Sequence, residues 1–174
     1  MRDDGKIVRA VVGGRTELFA ELVDRHASAV FRLVRAAVRQ EADAEDIAQE
    51  VFLASYRALR GLREPARFRA HLLAIATRKV ADYIRRRRRR AEPQPLLEEP
   101  AAPALPPRSA KMATVEAVVD RLDAKARLVF ALRHHEGLPC RQIARLLEVA
   151  EGTVYSRLSR IHAAIRKAVE LAER

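Results

Sequence analysis

Six of the eight prolines in this 174-residue chain fall within one stretch, residues 91–110, at positions 93, 95, 100, 103, 106 and 107. Proline lacks the amide donor that a helix interior or a sheet ladder requires, and Glu92, Glu98 and Glu99 deny the stretch an apolar core. It reads as an extended tether, so folding is confined to the residues on either side of it. Charge divides at the same place: residues 1–90 carry a net +9, the tether −2 and residues 111–174 +4.

Both flanks are patterned as helices. Hydrophobic residues make up 49% of the chain, but aromatics only 5% and Trp is absent, so any core is built of Leu, Val, Ile and Ala. That favours helices over sheets. The expected fold is all-α: two small helical domains, 1–90 and 111–174, each folding on its own and joined by the Pro-rich linker 91–110. In the first flank, Asp4 is expected to cap a helix bearing Ile7, Val8, Val11 and Val12, ended by Gly13-Gly14. Thr16 caps a second that reaches Val38 with a bend near His26, and 40–42 form a turn. Gly61 stops a third helix. A loop with Pro65 leads to a fourth, with Phe68, Leu72, Ile75, Ala76, Val80 and Tyr83, that runs into six arginines, Arg85 to Arg90. The second flank divides into helices near 112–121, 124–135, 139–148 and 151–172.

The third helix, 43–60, carries an unusual surface for so basic a protein. With Asp43 as its N-cap, Ala44, Ile47, Val51, Ala54, Ser55 and Ala58 form the buried side. The opposite side holds Asp46, Gln49, Glu50, Leu53 and Arg57. Acids in a first turn usually serve the helix dipole and the solvent. A solvent-facing leucine ringed by acids and an amide, in a chain of net charge +11, fits a basic protein partner better than DNA.

The sharpest local pattern lies at 138–158. A helix with Ile143, Ala144 and Leu147 inward precedes a tight turn and a helix with Val154, Leu158, Ile161 and Ile165 inward. Small Ala144 lets the two cross closely, as in a helix-turn-helix. Tyr155, Ser156, Ser159, Arg160, Ala163 and Lys167 face outward, and Arg157 lies on a flank. Hydroxyls and long cations on one face suit a helix entering the major groove. The arginine run would add salt-dependent phosphate affinity without sequence preference.

Other chemistry finds no support. One cysteine, Cys140, excludes an internal disulfide and any multi-cysteine zinc site. His134, His135 and His162 show no regular ligand spacing with it, so no metal or other cofactor is expected. Neither a phosphate-binding glycine loop nor a carboxylate dyad appears, and an enzyme is not expected. No signal peptide or membrane-spanning run is visible, and the isoelectric point near 10.9 points to a polyanionic partner. A soluble, cytoplasmic protein is the expectation.

Taken together, DAEDIAQEVF (43–52), FRAHLLAIA (68–76) with Asp82 and the arginines, RLVFALRHHEGL (127–138) and RQIARLLEVAEGTVYSRLSRI (141–161) resemble an extracytoplasmic-function (ECF) sigma factor, a bacterial transcription initiation factor. The resemblance implies that 1–90 is sigma region two and 111–174 region four, without the third helical domain of larger sigma factors. Core RNA polymerase, promoter DNA and an anti-sigma factor are the implied partners. Asp46, Gln49, Glu50 and Leu53 would dock on the polymerase clamp helices. Arg63, Arg67, Arg69, Arg78, Arg85 and Arg86 would serve the −10 region. Thr153, Tyr155, Ser156, Arg157, Ser159, Arg160 and Lys167 would serve the −35 region.

Some positions depart from the family pattern. His71 replaces a usual Trp, Arg78 a frequent Asn, and Lys79 a usual apolar residue. Glu148-Val149-Ala150 replaces Gly-Val-Ser, so the recognition helix lacks a hydroxyl cap. Two rivals share the fold: a helix-turn-helix regulator that never engages polymerase, and a sigma-like decoy that binds an anti-sigma protein without directing transcription. The first leaves the Asp46–Leu53 face unexplained, and the absence of a receiver domain weighs against the second.

Overall fold

The computed structural model describes residues 3–90 and 109–173, and every regular element among them is helical. The tether expected at 91–110 lies outside the described residues except for Ser109 and Ala110. Helix α1, Asp4–Val12, buries Ile7, Val8 and Val11. It closes where Arg15 N–H reaches Ala10 O (3.0 Å) while Gly14 takes φ 106°, a conformation that strains any side chain. A Cβ at Gly5 would meet the backbone N of Ala66 at 3.1 Å, so glycine lets α1 lie close on the Pro65–Arg67 turn.

Asp4 does not cap α1, because Asp3 holds that position and Asp4 is the first helical residue. The Asp4 carboxylate instead reaches α2, Phe19–Ala37, accepting from Arg25 and lying 2.8 Å from His26 Nε2. That partner lets His26 sit buried beside Phe68, so α2 runs through it without the expected bend. Thr16 opens a short 3₁₀ turn rather than capping α2. Helix α3, Glu41–Ala58, starts earlier than expected, with Gln40 at the N-cap. Asp43 lies in the first turn, where its carboxylate accepts from Tyr83 Oη (2.8 Å). The buried side of α3 is Ala44, Ile47, Ala48, Val51 and Ser55. Helix α4, Phe68–Arg90, buries Phe68, Leu72, Leu73, Ala76 and Val80, then leaves Arg85 to Arg89 exposed.

The second half holds α5, Ala110–Asp120, α6, Ala124–His134, α7, Cys140–Leu147, and α8, Glu151–Ala172. Ser109 caps α5 by accepting from Met112 N–H (3.2 Å), and Asp123 caps α6 by accepting from Ala126 N–H (2.8 Å). Helices α7 and α8 form the helix-turn-helix, with Ile143, Ala144, Val154, Leu158 and Ile161 buried. Glu148 makes the turn at φ 55°, a left-handed conformation glycine would adopt more cheaply. Ala150 stands at the N-cap of α8 with no side-chain cap, as the sequence implied.

The two halves pack together, which no local pattern reveals. Helix α6 lies along α2 and α7 meets α4, and buried residues of both halves form one apolar cluster. Polar groups fasten the seam. Arg127 donates from Nε to Ala36 O (2.7 Å) and from Nη2 to Ala37 O (3.4 Å), at the C-terminus of α2 where carbonyls lack helical partners. Arg39 donates to Asp120 O. The Glu136 side chain, only 1% exposed, receives Arg69 Nη2 at 2.5 Å and faces Arg32 Nη2 at 3.8 Å.

Candidate partner and nucleic-acid interfaces

The outward face of α3 presents Asp46, Gln49, Glu50 and Leu53 together, all exposed, with Leu53 at 50%. Tyr56, overlooked in the sequence, carries the apolar surface a further turn along the helix. It is exposed and packs edge-on to Phe19 at 5.0 Å between centroids. Its spacing of three from Leu53 was the available signal. Glu50 is tied to α4, where Lys79 Nζ donates to its Oε2 at 2.6 Å. Lys79, an unusual cation at its position, thus fixes one member of the acidic face. Between α3 and α4 lies a cleft of about 350 Å³, whose lining includes Asp43, Asp46, Glu50, Lys79, Tyr83 and Arg86.

The six arginines assigned to the −10 region are all exposed, but they do not share one face. Arg63, Arg67 and Arg69 gather at the 3₁₀ turn and the start of α4. Nine residues make two and a half helical turns, so Arg69 and Arg78 point to opposite sides of α4, whereas Arg78 and Arg85, seven apart, share one. Arg67 pairs with Glu64 (2.8 Å), Arg85 with Asp82, and Arg69 with the buried Glu136. Among the described residues Arg63, Arg78 and Arg86 make no ion pair. His71 Nε2 is buried without a hydrogen-bond partner. Burial first and Arg78 second lower its pKa, which keeps the ring neutral.

On α8 the assigned residues fall into a stripe and its flanks. Thr153, Ser156, Arg160 and Lys167 recur at three, four and seven, and so line one side of the helix. Ser156, Arg160 and Lys167 are exposed, while Thr153 and Arg157 are half-buried. Ser156 Oγ donates to Thr153 O (3.1 Å) and Arg160 Nε to Ser156 O (3.3 Å), so both side chains rest on their own helix backbone. Tyr155 and Ser159 flank the stripe, with Tyr155 58% exposed. The buried Cys140 thiol beside it, then Glu151, raises the Tyr155 pKa, so the phenol is a neutral hydrogen-bonding group. His134 and His162 stand Nε2 to Nε2 at 3.0 Å across α6 and α8. No three His, Cys, Asp or Glu side chains gather as a metal site among the described residues.

One helical half thus presents acids around an exposed leucine, and the other a stripe of hydroxyls and cations on the second helix of a helix-turn-helix. Residues 22–90 match Sigma-70 region 2, and residues 112–165 match Sigma-70, region 4. The chain therefore belongs to the sigma-70 family of RNA polymerase initiation factors, in its ECF branch. It is similar to the RNA polymerase sigma-H factor of Pseudomonas aeruginosa, 30% identical over 96% of this chain and 94% of that one. The ECF sigma factor SigM of Mycobacterium tuberculosis is 32% identical over 95% of this chain and 84% of its own. Two solved structures share the fold. CnrH in complex with the cytosolic domain of CnrY has a TM-score of 0.65 at 24% identity, covering 98% of this chain and 99% of that one. RpoE in complex with the anti-sigma factor NepR, from Bartonella quintana, has a TM-score of 0.62 at 17% identity, covering 87% and 96%. Like its family, the chain binds core RNA polymerase and directs it to promoters to start transcription.

Proposed function

We propose how that activity is divided among these residues. Asp46, Gln49, Glu50 and Leu53 dock on core polymerase. Arg63, Arg67, Arg69, Arg78, Arg85 and Arg86 hold the −10 region, and Thr153, Tyr155, Ser156, Arg157, Ser159, Arg160 and Lys167 engage the −35 region. In this reading 1–90 acts as the docking and melting domain, 111–174 as the upstream reader and 91–110 as the tether between them. The observation that carries it is Leu53, half exposed among acids on the surface of a +11 protein. Such a surface repels DNA and attracts a basic, partly apolar protein groove.

Capture by an anti-sigma protein belongs to the same reading, because a fold neighbour was solved with one. The factor works in the cytoplasm as a non-enzymatic adaptor. In support, no helix among the described residues is long and apolar enough to cross a membrane. Reconstituted transcription with core polymerase tests the whole assignment: at limiting factor, Asp46→Arg with Leu53→Ala should sharply reduce promoter-directed initiation while leaving far-UV helicity intact. Undiminished initiation would refute the docking assignment.

A further inference from the structure

Two histidines meet in the second half in a way their sequence positions conceal. His134 ends α6 and His162 sits in the middle of α8, 28 residues apart, and their Nε2 atoms stand 3.0 Å from each other. The helices are fixed where the pair forms, because Leu132 on α6 and Ile161 on α8 are buried. Phe130, one turn before His134, lies against its ring at 4.5 Å between centroids, with the planes tilted by 33°. Both histidines are exposed, so solvent and solutes reach their nitrogens. His135 does not share the pair: its ring meets Phe130 edge-on at 6.0 Å.

A neutral imidazole carries a lone pair on one nitrogen and a proton on the other. By themselves the two rings share one N–H···N hydrogen bond, and they point nearly tip to tip, with centroids 5.2 Å apart. A transition-metal ion instead takes both lone pairs at once. Imidazole nitrogens bind Zn²⁺ at about 2.0–2.1 Å, so two of them 3.0 Å apart subtend about 94° at the ion. That angle suits an octahedral site, and slight widening makes it tetrahedral. Reaching it asks each ring to swing by about 40° from the tip-to-tip line. The χ2 torsion of histidine is broad, so exposed rings can make that turn. The ring that now donates moves its proton from Nε2 to Nδ1 through solvent, an exchange of tautomers that leaves both rings neutral.

Arg133 works against a cation here, since its charge is felt at His134. Solvent screens that repulsion at an exposed position, whereas the two coordinate bonds are direct. No third His, Cys, Asp or Glu side chain joins the pair among the described residues, which leaves the remaining positions to water. A site this open exchanges its ion readily, unlike a closed four-ligand structural site. Imidazole donors suit zinc and copper, whereas Mg²⁺ and Ca²⁺ take oxygen ligands.

We propose that His134 and His162 form a two-histidine site for a divalent transition-metal ion such as Zn²⁺ or Cu²⁺, and that the ion ties the end of α6 to α8. The helix that carries the −35 stripe thereby gains a fastening that depends on metal supply. The site stands whether or not the promoter contacts assigned above are correct.

Titration calorimetry of the full chain with Zn²⁺ tests it, at about pH 7.5, where imidazole is mostly neutral. One saturable equivalent per chain is expected. Loss of a group that merely supports a ligand costs roughly 10- to 100-fold in metal affinity, so His134→Gln and His162→Gln, which remove a ligand outright, should each cost at least tenfold. His135→Gln and Cys140→Ser should stay within twofold, which separates the pair from the adjacent histidine and from the thiol. Saturating Zn²⁺ should raise the thermal midpoint of the parent chain and leave that of His162→Gln in place, and Mg²⁺ should move neither. Cu²⁺ reads the ligands with no substitution at all: pulsed electron paramagnetic resonance of the parent chain should show the remote nitrogens of two imidazoles. Three results would each overturn the site and leave the pair as a hydrogen bond between helices. They are the lack of a saturable equivalent, parental affinity in either pair variant, and a Cu²⁺ spectrum with fewer than two imidazoles.

Discussion

Truncation of Leu53 isolates the apolar contribution of the docking face. Burying a leucine side chain fully is worth about 1.5–3 kcal/mol. Leu53 is already half covered in the free factor, so docking has about half of that left to gain, about 0.8–1.5 kcal/mol. Alanine retains part of this, so Leu53→Ala should weaken core binding by about 1 kcal/mol, roughly fivefold in Kd. Asp46 is exposed and reversing its charge replaces attraction by repulsion, which adds about 1–2 kcal/mol. The double variant should bind roughly 30- to 150-fold more weakly. The assay is displacement of labelled parent factor from core polymerase, with circular dichroism and thermal unfolding as controls for fold. High salt should shrink the Asp46→Arg increment and leave the Leu53→Ala increment in place. A folded double variant that competes within twofold of the parent would refute the assignment.

Three other outcomes follow from the geometry. Glu148→Gly should relieve the left-handed turn residue and Ala150→Ser should supply the missing cap of α8; calorimetry should show stabilisation of about 0.5–1 and about 1 kcal/mol, and no gain from either would contradict the turn geometry. Arg160→Ala should lower holoenzyme preference for the cognate upstream element by about 1–3 kcal/mol, whereas alanine at several of Arg85 to Arg89 should weaken all promoters alike and flatten the salt dependence; equal loss on matched and scrambled DNA would make Arg160 a phosphate contact. His134 is pulled below its ordinary 6.5 by burial, then by His162, Arg133 and His135, and His135 by burial and then Arg32. Both favour the neutral ring when folded, so their stabilisation is complete above 6.5 and lost as pH falls below it. The thermal midpoint should drop between about pH 7.5 and 5.5, and less in His134→Gln/His135→Gln; identical profiles would refute this.

Helix existence and faces were legible because they depend on local period. The limits of α8 agree with the sequence expectation, and α6 differs only at its end. Caps were read less well, for one reason. Asp4 and Asp43 look like N-caps locally, but their partners His26 and Tyr83 lie 22 and 40 residues away. His26 suggested a bend because its acid partner could not be seen from its own helix. Glu136 was missed altogether. An acid between His135 and Gly137 reads as loop surface, and its burial depends on Arg69, 67 positions earlier and across the tether. The exposure of Asp46, Gln49, Glu50 and Leu53 was legible because exposure on an amphipathic helix is also periodic, whereas the partner of Lys79, Glu50, lies on another helix and 29 positions away.

The element that joins these surfaces is α4. Its first turn gives Arg69 to Glu136 of the second half. Its middle gives Lys79 to Glu50 on the acidic face of α3. Its last turns give Tyr83 to Asp43 at the start of α3 and then leave the arginines to solvent. From Arg69 to Arg86 is about 25 Å of continuous helix, packed through Leu72, Ala76 and Val80. The face of α3 proposed to dock on polymerase meets α4 through two direct bonds, Glu50 to Lys79 and Asp43 to Tyr83. Replacing Lys79 with Met keeps the helix and releases the Glu50 carboxylate, so core affinity should change by no more than about 1 kcal/mol, the worth of an exposed ion pair. A larger loss in Lys79→Met, with helicity intact, would mean that Lys79 itself contacts polymerase.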